Sequence, residues 1–443
     1  MGFSEAQRYL NSLGIDAMKK GAPSMHRIQA LCEVLGHPER TIQAVHVTGT
    51  NGKTSVARII SALLGATGLS VGTYTSPHLQ NVRERIALSG EPISEEGFGD
   101  LFEHVFTYVQ LVEERLGERL TFFELLTGMF FLWAAETPVD VAVVEVGLGG
   151  RWDATNVVQA PVAVITNVGL DHMELLGTDA KTIAREKSGI IKPHARVVTS
   201  ERKPDVLEVI RSEAASQGAE ISEMGRDFSV TDNRVALGGR FLSLKTTARD
   251  YTGLFLPLHG SHQGNNAATA LEATTRFLAH PLSDEVVAEG FASTVVPGRL
   301  ETLRAQQRPG IPVILDVAHN PDGMSALITS LIEAFAFDRV RFVIGILGDK
   351  DYRGMLQELA RVECSVYFTE PKTVRAVPKS DLVAAGAELG LTSHPSADVD
   401  EGVTSALADA DDHDLVCVTG SHYVVGEARS FLLERSAAME PGG

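Results

Sequence analysis

Cysteine is scarce in this chain. The three present, Cys32, Cys364 and Cys417, are odd in number, far apart and without CxxC spacing, which argues against a disulfide framework or a zinc site and for free thiols in a reducing compartment. Long apolar runs are missing too: the most apolar, Met129 to Ala135, is far shorter than the roughly 20 residues needed to cross a bilayer and reads as a core helix. The first residues have neither a basic nor an apolar signal region, so a cytoplasmic protein without a membrane role is expected. Positive charge is in deficit, with 39 Lys and Arg against 57 Asp and Glu and a formal net charge of −18. Loose binding to nucleic acid or an anionic membrane is therefore disfavoured, and any anionic substrate must be met by local cations. There is no repeat of solenoid period and no low-complexity tract.

What is present is an ordinary globular composition, 44% hydrophobic and 22% charged, over 443 residues. That length exceeds what one core usually supports, so two domains are expected. Apolar strand-like runs at Val45–Thr48, Val71–Thr75, Val139–Val146, Val162–Asn167 and Arg196–Ser200 alternate with helical patterns at Thr54–Leu64, Phe122–Glu136, Ala180–Ile191 and Pro204–Gln217. Such alternation predicts an α/β fold: a P-loop-type, mostly parallel central sheet. Residues 226–258 alternate in short runs around Gly238-Gly239 and predict a small antiparallel insert. Pro297-Gly298 ends a helical pattern, which sets the expected boundary between domains 1–296 and 297–443. Beyond it, strands near Val313–Asp316, Val340–Leu347, Cys364–Thr369 and Leu415–Thr419 predict a smaller, Rossmann-like doubly wound domain. Ligands in such sheets bind beyond the strand carboxyl ends.

The stretch His46-Val47-Thr48-Gly49-Thr50-Asn51-Gly52-Lys53-Thr54-Ser55 joins a β-branched run to an Ala/Ile/Leu-rich helical pattern. Glycines there let the backbone turn and present N–H groups, Lys53 can reach outer phosphates, and Thr54 or Ser55 can face a magnesium ion. The standard P-loop spacing puts glycine at position 47, where Val47 stands, so the loop is shorter. A nucleoside triphosphate is the expected ligand.

A second cluster, Glu145-Val146-Gly147-Leu148-Gly149-Gly150-Arg151-Trp152-Asp153, opens with a carboxylate among valines. Burying an ionised group is costly unless it is paired or binds metal. Magnesium is one partner; a cap or a salt bridge to Arg151 is the other. Thr166-Asn167-Val168-Gly169-Leu170-Asp171-His172 ends a third strand, and Ser76 follows a fourth in Thr75-Ser76-Pro77-His78. Alone, His172 would be a packed histidine, Lys187 an exposed helix lysine and Ser76-Pro77 a turn. Their convergence at the ends of strands in one sheet favours a phosphate and metal site.

Together these segments resemble the Mur ligase superfamily, and within it the folate enzymes. The likeness runs through Gly49–Thr54, Thr75–Leu79, Thr121–Glu124, Glu145–Arg151, Leu170–His172, Arg185–Ile190, Asn266–Leu271, Pro297–Arg299 and Asp316–Pro321. What the resemblance implies is an ATP-dependent ligase that phosphorylates a dihydropteroate or folate carboxylate and lets the amine of L-glutamate attack the acyl phosphate. It implies catalytic roles for Lys53, Glu145, His172 and Lys187. Thr50, Asn51, Gly52, Lys53, Thr54, Ser55, Asn266, Arg299 and Asp316 would contact ATP. Ser76, Glu145, His172 and a carbamylated Lys187 would hold magnesium, two ions in all. Phe122, Phe123, Glu124, Trp152, Asp153 and Ala154 would receive the pterin-bearing substrate, the phenylalanines by stacking; without the resemblance, core packing at a helix start is the preferred reading of both. His319 and Ser421, with His422 beside them, would face glutamate. No heptad or apolar interface stripe stands out, and a monomer is expected. Two other readings compete: a Mur-type ligase for a different carboxylate acceptor, and a P-loop ATPase or switch protein.

Overall fold

The computed structural model describes residues 2–14, 24–305 and 308–437. They divide into two compact units. One runs to Asp232 and adds residues 242–255 and 265–294; the other takes residues 233–241, 256–264 and the chain from Val295.

The first unit is built on eight strands: β1 (Ala44–Thr48), β2 (Val71–Tyr74), β3 (Ile86–Leu88), β4 (Glu91–Pro92), β5 (Val141–Glu145), β6 (Val162–Ile165), β7 (Arg196–Thr199) and β8 (Glu220–Glu223). Their order is β4-β3-β2-β5-β1-β6-β7-β8. From β2 to β8 every neighbouring pair is parallel, and only the β3–β4 edge is antiparallel. The middle strands are near-continuous Val, Ala and Ile, the pattern of strands buried on both faces; β1, β5 and β6 are buried throughout. One face carries a large core around Phe98, Phe102, Phe130, Phe131 and Tyr74. A second core, around Ile165, Ile183, Ile190 and Val197, covers the other side.

Most expected elements are present, and one long helix had not been expected. Glu95–Leu116 starts where Ser94 accepts the Gly97 N–H, and it stops at left-handed Gly117, a common glycine C-cap. Its buried residues Phe98, Leu101, Phe102, Val105, Val109 and Val112 follow the helical period. The expected insert is a meander of β9 (Ser229–Ala236), β10 (Gly239–Lys245) and β11 (Asp250–Leu256) in the order β11-β10-β9.

The second unit holds β12 (Glu301–Arg304), β13 (Pro312–Leu315), β14 (Val340–Ile344), β15 (Cys364–Phe368), β16 (Thr392–Pro395) and β17 (Leu415–Thr419). They form one sheet in the order β12-β13-β17-β14-β15-β16. It is parallel except where β12 pairs with β13. The four buried strands coincide with those expected. The two edges, β12 and β16, carry half-exposed sequences and are not among the expected strands. Among the described residues no helix is long and apolar enough to cross a membrane.

Candidate active site

In the first unit the phosphate loop leaves β1 at Thr48. Gly49 and Gly52 have φ of 152° and 84°. A Cβ at Gly49 would collide with Thr166 Oγ1, and one at Gly52 would lie 2.7 Å from Asn266 Oδ1. The loop is stitched to the segment after β6. Thr50 N donates to Asn167 O (2.8 Å) and Asn51 N to Asn167 Oδ1 (2.9 Å). Thr166 Oγ1 donates to Asn51 O (2.7 Å) and Gly169 N to Thr50 Oγ1 (2.9 Å). The helix Lys53–Ala66 then begins, aiming its N-terminal N–H groups and dipole at the loop. Lys53 Nζ donates to Gly49 O at 3.1 Å and Thr50 O at 3.2 Å. Ser55 is buried.

Glu145 ends β5 with 1% exposure. Its Oε1 accepts from Thr54 Oγ1 (2.9 Å) and its Oε2 from Ser76 N (3.1 Å). Arg58, one turn beyond Thr54, faces Glu145 and Glu84; burial lowers its pKa against the pull of those two carboxylates. Its Nε has no hydrogen-bond partner among the described residues. Glu84 itself gathers the N–H groups of Leu79, Gln80 and Asn81, which shapes the turn after Ser76.

Lys187 is 3% exposed and donates from Nζ to Gly49 O at 2.8 Å. Lys187 and Lys53 thus meet on one carbonyl. Burial, then the Lys53 ammonium, pushes the Lys187 amine down to about 7. His172 has φ 51° at the start of the short helix Met173–Leu176, with Nε2 3.9 Å from Asp171 Oδ2, on the stretch that Gly169 ties to Thr50. Lys53, Thr54, Ser76, Glu145 and Lys187 therefore form one bonded network around the loop, with Asn266 packed on Gly52.

The donors suit magnesium of a particular kind. No group of three His, Cys, Asp or Glu able to cage a metal stands together among the described residues. One carboxylate, Glu145, with the Thr54 hydroxyl on it and Ser76 beside it, matches an ion that keeps its waters and takes its remaining ligands from phosphate.

The acceptor candidates separate on contact. Phe122 is 3% exposed and the Arg85 guanidinium lies 5.0 Å over its ring, so its faces are core. Glu124 closes a capping box with Thr121 and accepts from Arg27 Nε on both oxygens, at 2.9 and 3.0 Å. These two residues build the start of the helix Phe122–Glu136. Phe123 is only partly buried and packs beneath Gly147, where a Cβ would stand 2.6 Å from its Cζ. Trp152 is 48% exposed, while Asp153 and Ala154 are buried. Asp153 Oδ2 accepts from Leu148 N (2.9 Å) and Oδ1 from Thr155 N (3.0 Å). Burial raises its pKa to about 6.

In the second unit Asp316 receives Leu300 N and Ala318 N on its two oxygens, each at 2.9 Å. Burial raises its pKa and Arg299 opposes the rise. The rings of His319 and His422 lie 5.3 Å apart. Ser421, 1% exposed, accepts the Val424 N–H at 3.3 Å. Arg58, Arg85, Asn167 and Glu84 were not anticipated as site residues. Asn167 sat within a quoted cluster, whereas Arg83-Glu84-Arg85 reads in sequence as surface charge.

Residues 47–274 match the Mur ligase middle domain and residues 298–422 the Mur ligase glutamate ligase domain. The chain belongs to the Mur ligase family. Among the relatives of this Mur ligase is the dihydrofolate synthase/folylpolyglutamate synthase of Mycobacterium tuberculosis, 39% identical over 440 residues and covering 92% of this chain and 90% of that protein. The Bacillus subtilis protein of the same name is 37% identical and covers 93% and 95%. In three dimensions it is similar to M. tuberculosis folylpolyglutamate synthase complexed with ADP, with TM-score 0.92, 37% identity and coverage of 97% and 98%. It is also similar to an FPGS–AMPPCP–folate complex, with TM-score 0.85, 31% identity and coverage of 98% and 100%.

Proposed function

We propose that this Mur ligase is an ATP-dependent amide ligase that joins L-glutamate to dihydropteroate, to folyl-(poly)glutamates, or to both. The observation that carries the reading is the network in which Glu145 bridges the first turn of the phosphate-loop helix and the Ser76 turn, with Lys53 and Lys187 beside it on Gly49. Folate-enzyme relatives across most of the chain support the substrate class.

In this reading the loop amides and the Lys53–Ala66 helix terminus orient the triphosphate, and Lys53 leaves its loop carbonyls for the outer phosphates. Phosphoryl transfer asks mainly for position and charge neutralisation. Magnesium held at Ser76, Glu145, His172 and a carbamylated Lys187 would offset charge on the transferring phosphoryl group. The buried, readily neutral Lys187 amine supports carbamylation, since only the free amine adds carbon dioxide. Thr50, Asn51, Gly52, Thr54, Ser55, Asn266, Arg299 and Asp316 complete the nucleotide contacts. Phe123, Trp152, Asp153 and Ala154 receive the acceptor, positioned by Phe122 and Glu124. His319 and Ser421 receive glutamate. The acceptor carboxylate takes the γ-phosphoryl group, ADP departs, the glutamate amine attacks the acyl carbon, and phosphate leaves with loss of the amine proton.

The test is amide formation and phosphate release from ATP with dihydropteroate, a reduced folate or no acceptor, each with and without L-glutamate. Phosphate release that needs both acceptor and glutamate is expected. Acceptor-independent turnover would overturn the reading in favour of a P-loop ATPase.

A further inference from the structure

Beneath the Gly147–Gly150 turn lies a buried polar chain, and two of its members, His46 and Thr155, have no part in the proposed reaction. His46, in the middle of β1, is fully buried. Its Nε2 lies 2.9 Å from Thr155 Oγ1, and Thr155 Oγ1 in turn hydrogen-bonds Asp153 Oδ1. Because the carboxylate can only accept, the Thr155 hydroxyl donates to Asp153, and its oxygen accepts from His46. This fixes the imidazole as the Nε2–H tautomer. Consistently, His46 Nδ1 is buried with no partner among the described residues, and burial, then Lys192, holds the ring neutral with a pKa of about 3. Leaving Nδ1 unpaired costs free energy, so something must hold the ring there. The far oxygen of Asp153 receives Leu148 N.

A second tie runs in parallel. Thr48, two residues on and therefore on the same face of β1, donates from Oγ1 to Gly149 O at 2.6 Å. The turn these two ties grip has no slack: a Cβ on Gly150 would lie 2.7 Å from Lys187 O, and one on Gly147 would press into the Phe123 ring. The strand that launches the phosphate loop thus also sets the height of the Asp153 turn.

We propose that His46 and Thr155 are positioning residues that orient the Asp153 carboxyl and the Leu148–Gly150 turn toward the acceptor, and so govern acceptor affinity through a relay that never touches the substrate. The proposal rests on the acceptor role given to Asp153 above. It accounts for a histidine in a strand buried throughout, where an aliphatic residue would pack at lower cost.

The experiment compares Thr155→Val, Thr155→Ser, His46→Gln and His46→Leu in the full chain. It measures KM for dihydropteroate and for ATP, kcat, thermal midpoint and amide hydrogen exchange at Leu148. Thr155→Val is nearly isosteric but cannot relay the bond. It should raise the acceptor KM on the order of tenfold with the ATP KM changed less than twofold, and should speed Leu148 exchange. Thr155→Ser restores the hydroxyl, and His46→Gln presents an amide N–H near Nε2; both should recover most of the acceptor affinity lost in Thr155→Val and His46→Leu. Equal changes in both KM values, or a lowered thermal midpoint with both KM values intact, would show a merely structural chain and overturn the proposal. Should wild type form no amide, the functional reading fails instead. Leu148 exchange then still tests the relay, and a wild-type rate in Thr155→Val sinks it.

Discussion

Replacing Glu145 by glutamine separates its structural work from its proposed chemistry. The carboxylate is almost fully buried and accepts two hydrogen bonds, from Thr54 Oγ1 at 2.9 Å and Ser76 N at 3.1 Å. Bonds to a charged acceptor contribute roughly 1.5–3 kcal/mol each and neutral ones about 1 kcal/mol. Glutamine keeps one acceptor oxygen. The Ser76 N–H can only donate, so that oxygen must turn toward Ser76 and the amide NH2 toward Thr54, whose hydroxyl can rotate and accept. Both bonds survive in weakened form, and the stability lost is roughly 1–2 kcal/mol, or a thermal midpoint lower by about 2–8 °C. Turnover should fall far more, roughly a hundredfold or beyond, as seen when groups that stabilise developing charge are removed, and the magnesium concentration for half-maximal rate should rise. The assay is ADP formation with dihydropteroate and L-glutamate across a magnesium titration, alongside calorimetry. Turnover within threefold of wild type with an unaltered magnesium requirement would falsify the metal role. A midpoint lowered by 15 °C would instead mean that the carboxylate is chiefly a structural staple.

Gly150→Ala places a methyl against the carbonyls of Lys187 and Glu186, at 2.7 and 2.9 Å; backbone cannot swing aside, so a loss of about 1–3 kcal/mol by urea unfolding should accompany reduced ligase activity. In Lys187→Ala most activity should vanish, and labelled bicarbonate should give a carbamate resonance in wild type that the variant lacks; equal spectra would end the carbamate proposal. The pH dependence of stability should carry two opposed signatures. His46, held near 3, contributes stability present above about pH 6.5 that is lost as pH falls toward 3. Asp153, raised to about 6, contributes stability present below about pH 3.8 that is lost as pH rises through 6. Between about pH 4 and 6 the two nearly offset each other, so lowering the pH through that window should raise the urea midpoint of His46→Gln relative to wild type and lower that of Asp153→Asn.

Much of this architecture was legible because its physics is local. The buried parallel strands are near-continuous Val, Ala and Ile, and Gly49–Thr54 stands between such a strand and a helix pattern, so sheet, loop and ligand class follow from short windows. The helix Glu95–Leu116 was equally legible, with Ser94 as its cap and six apolar residues in phase. Edge strands β12 and β16 were not legible, since one exposed side leaves too few apolar residues to mark a period. At the site, Lys53, Glu145 and Ser76 were singled out by the chemistry of strand ends and Lys187, on the helix Ala180–Ser188, by the resemblance; the structure brings all four around one loop. Phe122 and Glu124 illustrate the opposite case. Their residue types suit a ligand, but whether an aromatic face is open depends on Arg85, 37 positions away in sequence and over the ring in space. The Arg58 and Arg85 guanidiniums stayed hidden for the same reason: a buried arginine looks in sequence like any surface charge.

The stitching of the phosphate loop has a consequence for how the protein is made. Asn51 N rests on Asn167 Oδ1, 116 residues further along, and Gly49 O on Lys187, 138 residues along. A ribosome adding roughly 5–20 residues per second needs on the order of ten seconds to deliver those partners, and until then the loop has no scaffold. A nascent chain that stops short of β6 would carry the full nucleotide signature yet be unable to compete with the cell's other nucleotide binders, which delays ligand capture until the sheet's central strands have assembled.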